Sequence, residues 1–301
     1  MIYWLIATIL AYLFFSFASL GDKLVLAGKP KPNSYTFYVG IFGIFVILFI
    51  PFINFGFPDN AGLTFVILDA IVRILGMYTM YKALEKFDVS KVVATIGATQ
   101  PIFIFILTFI FFKPQAMPLI DIFAFLILLA GSVVISAGKN IKITADYLKI
   151  TIFSSLMFSF DYIFAKLVFQ SAGFLQGVVW TGIFIFLFVF VFLLRKKSRK
   201  EIFAKRMILS RKTEKSFVFA QVSGGIANFL QSFAIYLAPV AFLATINSLR
   251  GIQYIFLFII ALLISYFYPK VLKEELSRKI ILQKIVSIIL IAVGLAILVI
   301  Y

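Results

Sequence analysis

The side chains able to do chemistry are few, and their types restrict what that chemistry is. The 301-residue chain has no His and no Cys, which removes imidazole bases, thiolate nucleophiles, disulfides and the commonest metal ligands. What is left is a handful of charges and amides inside long apolar runs. Arg250 has no acid within four positions, whereas Arg73 follows Asp69 by one helical turn, the spacing at which an acid and a base share a helix face. Asp161 is the other acid far from the end of an apolar run. A charge at mid-bilayer costs about 2.5–3.5 kcal/mol on insertion scales, so each of these marks a functional candidate. Arg250 needs a partner from elsewhere, either Asp161 or an anionic substrate held bidentately, and it is favoured over Arg73 as the substrate-facing charge. Asp161, and after it Asp69, are the candidates for ion coupling. Asp69 and Arg73 have an equally good structural reading as a self-neutralising pair.

Amides and hydroxyls cluster on the same segments as Arg250. Thr245, Asn247, Ser248 and Gln253 lie around it in sequence, Asn228 and Gln231 precede it, and Thr95, Thr99 and Gln100 occupy an earlier run. The three- and four-residue spacings put Asn228 with Gln231 and Thr95 with Thr99 on shared faces. Lone hydroxyls in such helices more often glue helices together than bind a ligand, but Asn228, Gln231, Asn247, Gln253 and Arg250 together are too many donors for that. Tyr78 and Tyr254 are weaker candidates for stacking on a substrate. Pro101, Gly251, Gly224 and Gly225 interrupt or loosen apolar runs and are the expected hinges. Lys166 and Lys23 are expected to mark helix ends by snorkelling. No catalytic residue, metal ligand or cofactor site is assigned.

Those residues must be positioned by elements in lipid. Hydrophobic residues make up 63% of the chain and charged ones 13%, against roughly half and a quarter in a soluble domain; the mean hydropathy is +1.11. Such numbers exclude an ordinary soluble enzyme and a disordered chain. Ten apolar stretches reach the length of about 20 residues that crosses a bilayer as a helix, at roughly 3–22, 35–54, 61–82, 92–112, 118–138, 148–170, 174–194, 216–238, 240–268 and 279–301. Unbroken apolar runs favour helices over a barrel, whose strands would alternate in polarity. The expected fold is therefore an all-α integral membrane protein of ten transmembrane helices.

The net charge of +16 does not point to nucleic acid, because the basic residues flank apolar runs instead of forming a soluble surface. Outside the spans, every Lys and Arg except Lys113 falls on the odd-numbered connections and their flanks, with the densest run at 195–215. The positive-inside bias then predicts a multi-pass cell-membrane protein with odd connections cytoplasmic and both termini outside. The run at 195–215 is expected to rest on anionic lipid. A signal peptide is not expected, since no basic residue precedes the first apolar run.

The chain also echoes itself. Phe15-Ser16-Phe17 with Lys23-Leu24-Val25 recurs as Phe158-Ser159-Phe160 with Lys166-Leu167-Val168. Ala94-Thr95-Ile96 recurs as Ala244-Thr245-Ile246, and Ala130-Gly131-Ser132 is echoed by Ala292-Val293-Gly294. Three echoes in one order indicate a duplication into units 1–140 and 141–301. Five spans is an odd number, so successive units enter the membrane in opposite senses, which is the inverted repeat of secondary transporters.

At these residues the pattern resembles the drug/metabolite transporter superfamily in its ten-helix EamA-type branch. The resemblance rests on Ala83-Leu84, Val92-Val93-Ala94-Thr95-Ile96 and Gln100-Pro101-Ile102-Phe103, and on Glu275-Leu276-Ser277 with Leu290-Ile291-Ala292-Val293-Gly294. It implies export or exchange of small metabolites such as amino acids or organic anions, driven by a proton or counter-substrate. The chain departs from that family at Lys113-Pro114, where members carry an acidic residue.

The expected partners are a small-molecule substrate and the lipid bilayer, not nucleic acid, with monomer and homodimer both open. A non-transporting membrane subunit is the alternative, and a lipid-modifying membrane enzyme a weaker one. The enzyme reading suffers from the missing His and Cys and the scattered acids.

Overall fold

The computed structural model describes residues 2–25, 31–87, 89–113, 118–136, 144–203, 211–267 and 278–300. The regular structure in them is helical: α1 (Tyr3–Val25), α2 (Pro32–Ile41), α3 (Asn60–Lys86), α4 (Val89–Phe112), α5 (Leu119–Ser136), α6 (Ala145–Ala172), α7 (Phe174–Val189), α8 (Lys196–Ile202), α9 (Arg211–Leu237), α10 (Leu243–Ser248), α11 (Gly251–Phe267) and α12 (Arg278–Ile300). Among the described residues nine helical segments are long and apolar enough to cross a membrane, and Leu119–Ile135 in α5 is a shorter apolar helix. Large apolar side chains such as Phe52, Phe57, Ile110 and Leu194 face outward, as they do where the solvent is acyl chain. This is a multi-pass, all-helical membrane protein.

Local sequence explains the helix ends. The Asp59 carboxylate accepts from the Gly62 amide at 2.8 Å and so caps α3, and Thr144 does the same for α6 through the Tyr147 amide at 3.2 Å. Pro32 opens α2, where its missing N–H costs nothing. Gly173, at φ +76, turns the chain between α6 and α7 in a conformation that excludes a β-carbon.

Three spans depart from the sequence expectation of simple helices. Span two leaves α2 as a 3₁₀ helix over Phe42–Phe52, and span seven ends in one over Phe190–Leu194. Span nine, expected as one helix over 240–268, is broken: a 3₁₀ turn at Val240–Phe242 leads into α10, the chain turns at Leu249 and Arg250, and α11 begins at Gly251. The basic connection expected as a loop at 195–215 contains α8. Its Glu201 carboxylate accepts from the Asn33 amide at 3.1 Å and from Asn33 Nδ2 at 2.7 Å, at the start of α2.

The most extensive pairings run α1 along α9 and α3 along α6. Next come α5 with α12, α4 with α6, the 3₁₀ part of span two with α7, α3 with α7, α1 with α11, and α4 with α10. Close approach depends on missing side chains. A β-carbon on Gly43 would stand 2.9 Å from the Gly182 carbonyl oxygen, and one on Gly182 would stand 2.9 Å from that of Gly43. One on Gly294 would meet Leu128 at 2.6 Å. Tyr12, Ile104, Leu128, Ile163, Leu243 and Ile246 fill the centre.

Lys166 does not snorkel. It is 6% exposed and its ammonium donates to the carbonyl oxygens of Ile235, Tyr236 and Ala238 at 2.9, 2.9 and 2.6 Å. These are end carbonyls of α9 with no helical partner, and a cation there also meets the negative pole of the helix. The side chain of Lys23 lies outside the described residues.

Candidate functional site

The break in span nine creates the site. In an unbroken helix Ile246 and Ser248 would accept from the amides four residues on, Arg250 and Ile252. Here the Arg250 amide turns to Asn247 at 3.1 Å and the Ile252 amide to Leu249 at 2.9 Å. The freed groups find partners on other helices. The Tyr12 hydroxyl of α1 donates to the Ile246 carbonyl at 2.8 Å. The Ser132 hydroxyl of α5 donates to the Ser248 carbonyl and accepts from the Gly251 amide at 2.9 Å. Gly251 admits that approach because a β-carbon there would lie 2.6 Å from Ser132 Oγ.

Arg250 leaves the chain at this turn, about ten residues and roughly 15 Å into its span. Its side chain lies over Gly97 of α4: a β-carbon on Gly97 would be 3.3 Å from Arg250 Cδ and 3.5 Å from the Tyr254 hydroxyl. Tyr12, Tyr162 and Tyr254 are within electrostatic reach of the guanidinium. Among the described residues no carboxylate pairs with it. Several buried polar atoms close by have no hydrogen-bond partner: both amide atoms of Asn247, Thr245 Oγ1, Gln100 Oε1 and the hydroxyls of Tyr162 and Tyr254. Each such atom costs about 1–3 kcal/mol if nothing meets it. The Asn247 amide and the Tyr162 phenol approach one another without closing a hydrogen bond.

A second charged group lies further round α6. The Arg73 Nε donates to Asp161 Oδ1 at 2.6 Å, and a terminal nitrogen of Arg73 is 3.9 Å from Asp69 Oδ2. The Thr181 hydroxyl of α7 donates to Asp69 Oδ2 at 3.1 Å. Asp161 is thus the counter-ion of Arg73 and not of Arg250, and the i,i+4 pair foreseen in α3 is the weaker of the two contacts. Asp161 and Tyr162 are neighbours in α6 and point some 100° apart, so one helix serves both groups.

The other candidates are spread more widely. Gln100 donates to the Phe158 carbonyl at 3.4 Å, keeping its own oxygen free. Gln253 ties α11 to α1 through Ser19 Oγ at 2.9 Å. Thr99 donates to Ser155 Oγ at 2.8 Å and Thr95 bonds the Tyr147 hydroxyl, both joining α4 to α6. Asn228 is exposed and donates to the Gly224 carbonyl of its own helix at 2.8 Å. Gln231 is partly buried with Nε2 unmet, and no bond brings Asn228 or Gln231 to Arg250. Tyr78 packs its ring on Phe192 at 5.6 Å. Pro101 sits inside a continuous α4. Of the α9 glycines, Gly224 faces Ala18 of α1, and Gly225 has open space beside it.

Tyr12, Gly97, Ser132 and Thr181 were not expected as site residues, Ser132 having stood out only within the Ala130-Gly131-Ser132 echo. Only Tyr12 carried a readable signal there, as a lone phenol in the middle of the first apolar run.

One crystal structure without a functional description superposes over 97% of this chain and 94% of its own, with a TM-score of 0.69 and 13% sequence identity. At that identity the likeness concerns the fold alone. No family model and no curated protein matches the chain. Fold and site together define the class as a multi-pass helical membrane protein with, at a broken helix, an arginine that no carboxylate among the described residues pairs with.

Proposed function

We propose that the chain is a secondary active transporter, an exporter or exchanger of small anionic or zwitterionic metabolites. The observation that carries this reading is Arg250: a guanidinium that no carboxylate among the described residues pairs with, at a helix break whose neighbourhood holds unmet buried polar atoms. A substrate carboxylate or phosphate fits the planar fork bidentately. Asn247, Gln100, Tyr162 and Tyr254 would orient the rest of the molecule. Broken helices at mid-span are where such transporters place substrates.

In this reading the nine long spans and α5 make ten crossings, arranged as two inverted five-helix repeats. Most of the extensive pairings support it, α3 with α7 being the exception. Exchanging the halves turns α1–α9 into α6–α3 and α4–α6 into α11–α1, while α5–α12, α4–α10 and span two with span seven map onto themselves. Alternating access would then be a rocking of one half on the other. The contact of α8 with the start of α2 supports grouping the first and seventh connections on one side, and the positive-inside bias makes that side cytoplasmic with both termini outside. The exposed Lys196, Lys197, Arg199 and Lys200 of α8 would lie at anionic headgroups. Membership of the EamA-type branch of the drug/metabolite transporters is the family reading that suits these features.

The test is exchange in vesicles of phosphatidylethanolamine and phosphatidylglycerol, using radiolabelled amino acids and small carboxylates as probes. At least one probe class should exchange, and Arg250→Ala should lose that exchange. No exchange of any probe by the wild-type chain, or unchanged exchange by Arg250→Ala, overturns the reading.

A further inference from the structure

The group beside Arg250 carries a charge imbalance that anion binding does not use. Asp69, Arg73 and Asp161 bring two carboxyl groups to one guanidinium. The short, charge-assisted bond goes to Asp161 at 2.6 Å, leaving Asp69 at 3.9 Å. Yet Asp69 is the deeper of the two, 1% exposed. Its Oδ2 accepts from Thr181, and its Oδ1 is buried with no donor. The Asp69 and Asp161 carboxyls also meet each other. Arg73 on α3 and Asp161 on α6 are the ionisable groups that face Asp69, and α7 contributes the neutral Thr181. Tyr162 lies beyond, against Arg73 and Asp161. Nothing charged reaches Asp69 from α2 or α4.

Two ionised carboxylates here would leave a net negative charge at bilayer depth and a lone-pair set unmet. One proton removes both faults. Bound to Asp69, it cancels the surplus charge and lets that carboxyl donate an O–H to the Asp161 carboxylate, which also keeps its bond from Arg73.

We propose that Asp69 is a proton-binding site, loaded while the bundle is closed and emptied to water when α3, α6 and α7 part. Unloading breaks the Asp69 O–H bond, leaves its electron pair on the carboxylate and passes the proton to a water molecule as hydronium; loading is the reverse. Sodium is the other monovalent cation that could balance the charge, but the Arg73 guanidinium, 3.9 Å from the same carboxylate, repels it. On the transporter reading, on which this consequence rests, the proton is the coupling ion. Asp161 and Tyr162, adjacent on α6, are the route by which an empty Asp69 alters the Arg250 group.

Infrared difference spectroscopy on the full chain in lipid nanodiscs reads the site with no substrate present. The wild-type chain should show the carbonyl stretch of a buried, protonated carboxylic acid, downshifted in D2O, at neutral pH where exposed carboxyls are ionised. Asp69→Asn should lose it. Asp161→Asn should lose it too, because Arg73 then turns to Asp69 and ionises it. A wild-type chain without the band, or Asp69→Asn retaining it, overturns the proposal. A band present in choline chloride and abolished by sodium chloride overturns it in favour of sodium. The band needs no transported probe, so its absence beside working exchange removes only the proton site, and exchange failing beside a clear band removes only the transporter reading.

Discussion

Two arginines lie within the apolar spans, Arg73 and Arg250, and their surroundings are opposites. Arg73 sits in an unbroken helix between two carboxylates, with its charge met inside the protein. Arg250 sits at a helix break among neutral phenols and amides, with its charge met by none of the described residues. The two are joined by consecutive residues of α6, Asp161 and Tyr162. The difference shows that a buried charge is not itself a sign of a binding site. What separates the two is whether neighbouring groups have already spent their hydrogen bonds on it.

That contrast can be broken most sharply through stability. Arg73→Gln should lower the unfolding free energy by about 3–5 kcal/mol, because it leaves a buried carboxylate without its partner. Thermal unfolding in detergent measures this, and a variant as stable as wild type would erase the distinction. Arg250→Ala should leave unfolding unchanged or slightly raised, yet cost about 1.5–3 kcal/mol in probe affinity, the worth of hydrogen bonds to a charged group. Binding of the exchanging probe to the purified variant checks it.

Tyr12→Phe should cost about 1–2 kcal/mol in stability, since the Ile246 carbonyl at the break loses its donor. If the break needs no such support, the variant will unfold like wild type. Asn228→Ala should change neither stability nor exchange beyond about 0.5 kcal/mol, because its amide is exposed and bonds only its own helix. A large effect there would bring α9 back into the site.

The all-helical membrane fold was legible because apolar length and charge placement report directly on a bilayer. Arg250 was legible for the same reason, as a charge with no local acid. Of its surroundings, Asn247, Thr245, Gln100 and Tyr254 were legible as polar groups in apolar runs, and the rest were not. Tyr12 and Ser132 lie on other helices far away in sequence, and Gly97 acts through what its small size permits, which leaves no chemical signature in a string of residues. The break in span nine was legible only in part: Gly251 stood out as an expected hinge, but with no proline among Leu249, Arg250 and Gly251 nothing marked the helix as stopping there. Pro101, the obvious breaker, sits within a continuous helix. Partner choice among charges was equally hidden: local spacing favoured Asp69 for Arg73, and tertiary packing delivered Asp161 at shorter range. Lys166 misled for a related reason, since its three acceptors are end carbonyls of a helix remote in sequence.

The contact between Gly43 and Gly182 has a mechanical consequence. Main chain meets main chain there, and only the short branched side chains of Val46 and Ile185 lie beside the contact to absorb a tilt. Such a bearing keeps its separation while the parts on either side turn, and load applied to one segment passes straight into the other. A methyl group at either residue would act as a shim, fixing the angle instead of easing it.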